Sequence, residues 1–208
     1  NPVDGTDGII PSGTTYTWSA PTVDAGVSGG SAGTNAASIS GTLTNSTSGP
    51  LTATYSVTPK SGSCTGTPFT ITVTVNPKPA ISAMTAVICS DGTFTVTPAD
   101  GTNGLVPLGT TYTWSAPTVS GGLTGGSAES GAGITSISGT LTNPLNTAQT
   151  AIYTVTPVSP AGPCTGAAFT VTVTVNPLPD VNDLSTAICS GGSFNLTPVN
   201  GVDGLVPV

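Results

Sequence analysis

The chain has no histidine, one glutamate and only two cationic side chains, Lys60 and Lys78, among its 208 residues. Paired carboxylates or a nucleophile with a general base cannot be assembled from so few groups, so the composition argues against an enzyme. Two cations leave almost nothing to drive counterion release from a phosphate backbone, which excludes nucleic acid as a partner. No apolar run approaches the roughly twenty residues that span a bilayer, so we predict no membrane insertion.

Charge is scarce throughout. Only 5% of residues are charged, with a formal net charge of -7, whereas an ordinary soluble domain is about one quarter charged. Gly and Pro contribute 28 and 19 residues, a level close to that of disordered chains. Strict alternation of apolar residues with Thr and Ser nevertheless gives each segment an apolar face to bury, so we predict a folded protein.

Alternation is clearest in Phe169–Val175, where an apolar residue and a threonine take turns. Side chains on a β-strand point alternately to its two faces, so this is the pattern of a half-buried strand. A near copy, Phe69–Val75, lies one hundred residues earlier, and both copies precede an Asn-Pro-x-Pro sequence. Repetition at this period indicates tandem units joined by proline-stiffened linkers.

One complete unit spans residues 80–177. Short strands, turn-forming clusters between them and a tryptophan on the third strand predict an immunoglobulin-like β-sandwich. The fold class is therefore all-β, with tandem sandwich repeats of about 100 residues. The predicted strands are Ile81–Ile88, Thr93–Pro98, Thr110–Ala116, Ile134–Leu141, Ala151–Pro157 and Phe169–Val175.

Four aromatic residues are predicted to form the cores. Trp114 and Tyr153 occupy the third and the next-to-last strands of the complete unit, and Trp18 and Tyr55 are their counterparts in the preceding unit. In sandwiches of this type a tyrosine on that strand often returns its hydroxyl to the backbone. We therefore expect the same hydrogen bond here.

The remaining residues form incomplete units. Residues 1–77 correspond to 97–177 and lack the first two strands, whereas residues 180–208 supply only the opening strands of a third unit. A sandwich without two strands exposes an apolar face and a sheet edge, so something else must complete both. Two explanations stay open: the chain is a window on a longer array, or identical chains donate strands to one another head to tail.

Several motifs resemble the PKD-like and immunoglobulin-like repeats of giant surface adhesins of gliding or biofilm-forming Bacteroidota. They are Ala187–Phe194, Tyr112–Ser115, Tyr153–Pro157, Pro163–Gly166 and the Phe169 strand with its Asn-Pro-Leu-Pro tail. The resemblance implies an exported, filamentous protein at the cell surface, whose repeats act as a stalk.

Cysteines recur twice per unit, as Cys64, Cys89, Cys164 and Cys189. In a secreted protein such spacing predicts disulfides, and the chain has no Cys-x-x-Cys and no histidine for a metal site. Bonds between successive units, an in-unit Cys89–Cys164 bond and free thiols all remain open. The in-unit bond requires a distorted first strand, because the two positions fall at opposite ends of such a sandwich.

A recurrent loop of the form [DN]-G-x-[DN]-G carries the carboxylates Asp4, Asp7, Asp100 and Asp203. Such oxygens suit calcium, but Asp, Asn and Gly are also the residues of tight turns. We expect a turn and no cofactor, with calcium as the weaker alternative.

The sequence thus favours a structural stalk segment of an extracellular array adhesin, which spaces an adhesive tip from the cell. Its partners would be neighbouring repeats or identical chains end to end. Two alternatives are a filament subunit that polymerises by strand donation and a module that binds glycans or another ligand. A ligand-binding module needs an exposed aromatic patch, and only ten aromatic residues are available, two Trp, four Tyr and four Phe.

Overall fold

The computed structural model describes residues 1–208 and consists of strands and turns, with no helix. It therefore contains no helical segment capable of crossing a membrane. The chain divides into two compact units, residues 1–78 with 159–164 and residues 79–158 with 165–208. Below, the first unit denotes residues 1–78, the second unit residues 79–177, and the C-terminal segment residues 178–208.

The first unit has eight strands. They are β1 (Thr15–Trp18), β2 (Thr22–Val23), β3 (Val27–Gly29), β4 (Gly33–Ala36), β5 (Leu43–Asn45), β6 (Leu51–Ser61), β7 (Cys64–Thr65) and β8 (Phe69–Val75).

The second unit and the C-terminal segment contain thirteen more strands. They are β9 (Ala80–Ile81), β10 (Met84–Cys89), β11 (Thr93–Val96), β12 (Gly104–Leu105), β13 (Thr111–Trp114), β14 (Thr118–Val119), β15 (Thr124–Gly125), β16 (Ile137–Thr142), β17 (Gln149–Ser159), β18 (Cys164–Thr165), β19 (Phe169–Asn176), β20 (Asp180–Val181) and β21 (Gly204–Leu205).

The second unit is built from two main sheets and the two-stranded β9-β12 pair. The larger has the order β10-β19-β17-β13, and the smaller has the order β11-β16-β15. All pairings within these sheets are antiparallel except that of β10 with β19, which is parallel and runs from Met84 opposite Val171 to Cys89 opposite Asn176. The core lies between the sheets. The apolar residues of β19 face inward and are buried in this core, and they alternate with threonines that face outward.

The first unit repeats this arrangement without counterparts of β10 and β11. Its main sheet joins β8, β6, β1 and β4, with β2 and β7 also paired to β6, and its second sheet is the β3-β5 pair alone. Nothing in residues 1–78 stands in the places of β10 and β11. Accordingly β5 has three residues, whereas its counterpart β16, which pairs with β11, has six.

The prediction of tandem all-β immunoglobulin-like sandwiches is confirmed. Two predicted strands were wrong in extent: Ile81–Ile88 divides into β9 and β10, and the strand predicted from Ile134 begins at Ile137. Strand β9 pairs with β12, whereas β10 pairs with β19. Between these two strands, the Ser82 N–H donates to the Asn103 carbonyl. The two-residue strands β12, β14, β15 and β18 were not predicted, because two residues carry no measurable alternation.

Candidate functional site

The four predicted core aromatics are buried in their own units. Each tryptophan also satisfies its indole N–H: Trp18 donates to the Ser31 carbonyl at 2.9 Å and Trp114 to the Ser127 carbonyl at 3.1 Å. Neither tryptophan is free to stack on a ligand. The second unit accordingly has no exposed aromatic platform of the kind a glycan would use.

The tyrosine hydroxyls differ from expectation. Tyr153 is fully buried, but its hydroxyl has no hydrogen-bond partner. The buried hydroxyl of Tyr55 has no hydrogen-bond partner either. The predicted hydrogen bond to the backbone is wrong because the ring points between the sheets, 5.1 Å from the Phe94 ring, rather than toward a corner. A Cβ atom at Gly126 would lie 2.6 Å from the Tyr153 hydroxyl oxygen, so this position accommodates only glycine.

The [DN]-G-x-[DN]-G loops are hydrogen-bonded turns. Asp7 and Asp4 accept the backbone N–H groups of Val3 and Ile10 at 2.8 and 2.7 Å. The two later loops make the equivalent bonds: Ala99 N–H to Asn103, Val106 N–H to Asp100, Val199 N–H to Asp203 and Val206 N–H to Asn200.

Each of the two loop positions is therefore aspartate in some loops and asparagine in others. The hydrogen bond from the backbone N–H is present in all three loops. An amide oxygen accepts a hydrogen bond as a carboxylate oxygen does, but it offers a cation much less charge. No group of three or more carboxylate, thiol or imidazole side chains comes together. The turn role accounts for these residues, and the calcium hypothesis gains no support from their geometry.

All four cysteines are free thiols in the structure. In the second unit Cys89 pairs with Asn176 at the last residue of β19, whereas Cys164 begins β18, beside the end of β17 that faces the start of β19. The length of β19, roughly 25 Å, separates the two positions. This separation contradicts the in-unit Cys89–Cys164 bond, whereas a bond between successive units and free thiols both stay open.

Three groups have shifted pKa values: Asp24, Tyr112 and Tyr153. Hydrogen bonds from the Thr52 hydroxyl and from the Thr52 backbone N–H lower the pKa of Asp24. Burial raises the pKa of Tyr112 to about 12, and it also raises the pKa of Tyr153. Each shift follows from hydrogen bonding or burial in the group's own surroundings.

The first unit contains an open groove. It has a volume of about 1080 Å³ and is bordered by β8, by residues 39–43 and by the N-terminal residues 1–11. Its apolar floor consists of Ile39, Leu43, Tyr55, Phe69, Ile71 and Val73. The sequence signal for this groove is the absence of the two opening strands from residues 1–77.

The PKD-like domain family matches residues 3–79 and 86–179, which together make up most of the chain. The chain belongs to this family. Domains of this family are immunoglobulin-like, generally non-catalytic and typically extracellular. No curated protein matches the chain.

The groove occupies the place that two strands fill in the second PKD-like unit. There Phe94 of β11 lies over Gly139, where a Cβ atom would meet the Phe94 ring at 3.2 Å. Its counterpart Gly41 has no such ring nearby, and a Cβ atom there would meet the Tyr55 hydroxyl at 3.1 Å. The first PKD-like unit therefore retains the receiving surface without the strands that cover it.

The C-terminal segment presents the reverse situation. It includes the sequence counterparts of β10 and β11, residues 184–189 and 193–196, but neither forms a strand there. Phe194 is 68% exposed, whereas Phe94 is 2% exposed. Residues 184–189 and 193–196 thus lie outside every sheet of the structure.

Proposed function

We propose that the chain is a segment of an extracellular stalk, in which tandem PKD-like units separate a distal adhesive part from the cell surface. The composition supports a role without chemistry, because the sequence has no histidine and the two units contain no constellation of acid, base or nucleophile. The observation that carries the proposal is the pairing of the second unit's terminal strands.

That pairing suits a molecule under tension. The second unit is entered through the two-residue strand β9 and then β10, and it is left through β19. Strands β10 and β19 lie side by side and parallel over six residue pairs. Tension applied to the two ends of the unit pulls parallel neighbours in opposite directions along their length. The ladder is then loaded in shear, so its hydrogen bonds must break together rather than one by one.

Single-molecule force spectroscopy on the chain tests the proposal. We expect a cooperative unfolding event for the second unit, with a contour-length gain of roughly 30 nm from residues 80–177 at about 3.3–3.6 Å each, less the folded length. Extension without a force peak would overturn the stalk role.

Proline substitution identifies the ladder that resists force. The double variant Val87→Pro/Ile88→Pro removes two adjacent N–H donors from β10, and we expect it to lower the unfolding force of the second unit. Leu108→Pro, at a loop residue that is 94% exposed, is the matched control and should leave the force unchanged. An equal loss in both variants would contradict shear loading of β10 and β19.

A further inference from the structure

We propose that the outer edge of strand β10 in the second unit pairs antiparallel with the same edge of a second copy of this chain, across a twofold axis at Val87. The inference deepens the proposed stalk function, on which it rests, by naming a contact between stalks. Strand β10 lies at one end of the order β10-β19-β17-β13 and pairs only with β19. Its other side is an open sheet edge, which we call the β10 edge.

The direction of the backbone groups along β10 follows from one hydrogen bond at its end. The Ser90 N–H donates to the Asn176 carbonyl at 2.8 Å, so the backbone of Ser90 is directed toward β19. Because N–H and C=O groups point alternately to the two sides of a strand, every second residue before Ser90 is directed toward β19 as well. The residues of β10 whose backbone groups point to the β10 edge are therefore Thr85, Val87 and Cys89.

The β10 edge lacks the features that usually prevent strand pairing. Natural edge strands are short, bulged, or interrupted by charged residues and proline. Strand β10 instead keeps a regular register over six residue pairs, and residues 80–90 contain no charge and no proline. The side chains that accompany the edge groups are exposed, and Val87 is 67% exposed. The edge is therefore accessible and able to accept another strand.

Antiparallel pairing about Val87 makes this edge complementary to itself. Val87 then lies opposite Val87 of the second copy, and Thr85 lies opposite Cys89. Two bonds join the Val87 residues, and each Cys89 N–H donates to the Thr85 carbonyl across the axis. The Thr85 N–H reaches the Cys89 carbonyl, which already accepts the Gly92 N–H at 3.0 Å but retains a second lone pair. Every backbone group of the β10 edge thus gains a partner.

Self-complementarity is what selects a second copy as the partner. The two copies use the same surface, so the contact is isologous and closes as a dimer. The exposed Val87 side chains meet on the outer face of the joined sheet, which removes apolar surface from water. Parallel pairing of two such edges would require a shift of one residue between the strands, so it would leave a heterologous contact that does not close.

Electrostatic repulsion between the copies is weak at this contact, although each chain carries a net charge of -7. The acidic residue nearest in sequence to β10 is Asp91, which accepts the Thr142 hydroxyl at 2.7 Å. The twofold axis places the two Asp91 side chains beyond opposite ends of the paired strands, roughly 20 Å apart for six residues at about 3.4 Å each. This separation exceeds the Debye length of about 8 Å at physiological ionic strength.

The antiparallel geometry determines which stalks can meet. A twofold axis perpendicular to the sheet reverses the chain direction, so the two paired second units run in opposite directions. Stalks anchored on one surface run in the same direction, whereas stalks on two facing surfaces run in opposite directions. The contact therefore joins stalks of facing surfaces. One such contact is small, but several along a stalk reinforce one another by multivalency.

Sedimentation velocity on the full chain tests the association. We expect a reversible equilibrium between the 20.1 kDa monomer and a dimer of about twice that mass. Val87→Lys places a charge at the twofold axis, and it should weaken dimerisation at least tenfold. Leu108→Lys, at a loop residue that is 94% exposed, is the matched control and should dimerise like the unmodified chain. A chain that stays monomeric up to about 1 mM, or association that survives Val87→Lys, would overturn the proposal.

Disulfide trapping tests the register, in a chain whose four cysteines are replaced by serine. Val87→Cys should form a disulfide between copies, because residues opposed across the axis have Cα atoms about 5.5 Å apart, within the range of about 4.4–6.8 Å for disulfides. Thr85→Cys is the matched control and should not link to itself, because its two copies lie four residues apart, about 14 Å. Restoring Cys89 beside Thr85→Cys should produce the link.

A link formed by Thr85→Cys alone would show that the strands pair in parallel, and it would overturn the antiparallel contact. Absence of a link in Val87→Cys at concentrations where dimers form would place the contact elsewhere and would overturn the proposal too. The force measurement on single molecules does not depend on association. Failure of this inference and failure of the stalk role are therefore distinguishable.

Discussion

Strands β8 and β19 have almost the same sequence but different surroundings. Both read Phe-Thr-x-Thr-Val-Thr-Val, and both pair antiparallel with the long strand beside them in the same register, Val57 opposite Phe69 and Val155 opposite Phe169. All four apolar residues of β19 are buried, whereas those of β8 are only partly buried. The difference comes from β10 and β11, which cover β19 but have no counterpart over β8.

This comparison separates what a strand's own sequence determines from what its neighbours determine. Alternation fixes which face of the strand is apolar, and therefore which side turns toward a core. Whether that face is dry depends on strands that are distant in sequence. The second unit is a closed sandwich, and the first unit shows the same sandwich with one wall open.

The largest expected effect tests the burial difference directly. Phe169→Ala should lower the free energy of unfolding of the second unit by about 3–5 kcal/mol, the usual cost of removing a buried phenylalanine side chain. Phe69→Ala should cost the first unit less than half as much, because Phe69 is only partly buried and its loss leaves a smaller cavity. Urea unfolding of the two variants and of the unmodified chain measures both losses.

Tryptophan fluorescence distinguishes the units in that experiment, because each unit contains one tryptophan. Trp18→Phe leaves Trp114 as the reporter of the second unit, and Trp114→Phe leaves Trp18 as the reporter of the first. Equal losses for Phe69→Ala and Phe169→Ala would show that the open wall of the first unit does not weaken its core.

A second prediction concerns the close approach of Gly126 to the Tyr153 hydroxyl. Gly126→Ala should destabilise the second unit by about 1–3 kcal/mol, through overpacking and an unfavourable positive φ. Gly122→Ala is the matched control, because Gly122 has nearly the same φ, 71° against 70°, but nothing within 4 Å of its Cβ position. The difference between the two variants is therefore the packing cost alone.

Tyr153→Phe completes a double-mutant cycle. Removing the unpartnered hydroxyl should stabilise the second unit by up to about 1 kcal/mol, because a buried polar group without a hydrogen bond is costly. It should also reduce the penalty of Gly126→Ala. If Tyr153→Phe instead destabilises the unit, the hydroxyl has a partner, such as a buried water.

The third prediction is a loss of stability of the second unit in alkali. Burial raises the pKa of Tyr112 to about 12, whereas an unfolded tyrosine titrates near 10. The folded state holds this proton more tightly, so its contribution is complete below a pH of about 10 and is lost as the pH rises toward about 12. Urea midpoints followed by Trp114 fluorescence should fall across this range, and Tyr112→Phe should reduce the fall.

Much of this architecture could be predicted from the sequence, because strand alternation and a one-hundred-residue repeat are local and periodic signals. The parallel neighbour of Phe169–Val175 could not be identified in that way, since the residues of β10 carry no mark of the strand they join. For the open groove, the sequence indicates only that two strands are missing, because residues 1–77 correspond to residues 97–177.

The tyrosine hydroxyls were beyond sequence reasoning for a related reason. Alternation places Tyr153 on the inner face but does not say what its hydroxyl meets there. That depends on Gly126 and Gly139, which lie on other segments and approach closely because they have no side chain. Two glycines and one tyrosine then form a packing arrangement that recurs in the first unit as Gly30, Gly41 and Tyr55.

The smallest expected effect concerns two matching turns that differ in one side chain, Asp24 in the first unit and Ser120 in the second. In the first unit Asp24 accepts the Thr52 backbone N–H at 2.7 Å, and in the second unit Ser120 accepts the Thr150 N–H at 2.9 Å. Because hydrogen bonds lower the pKa of Asp24 in the folded state, its contribution is complete above its ordinary pKa and is lost as the pH falls through the lowered value. Asp24→Ser should make the acid response of the first unit resemble that of the second while changing its stability little at neutral pH. The measurement is the urea midpoint of the first unit between a pH of about 7 and about 2, followed by Trp18 fluorescence in a Trp114→Phe background. An acid response that Asp24→Ser leaves unchanged would assign that response to another carboxylate.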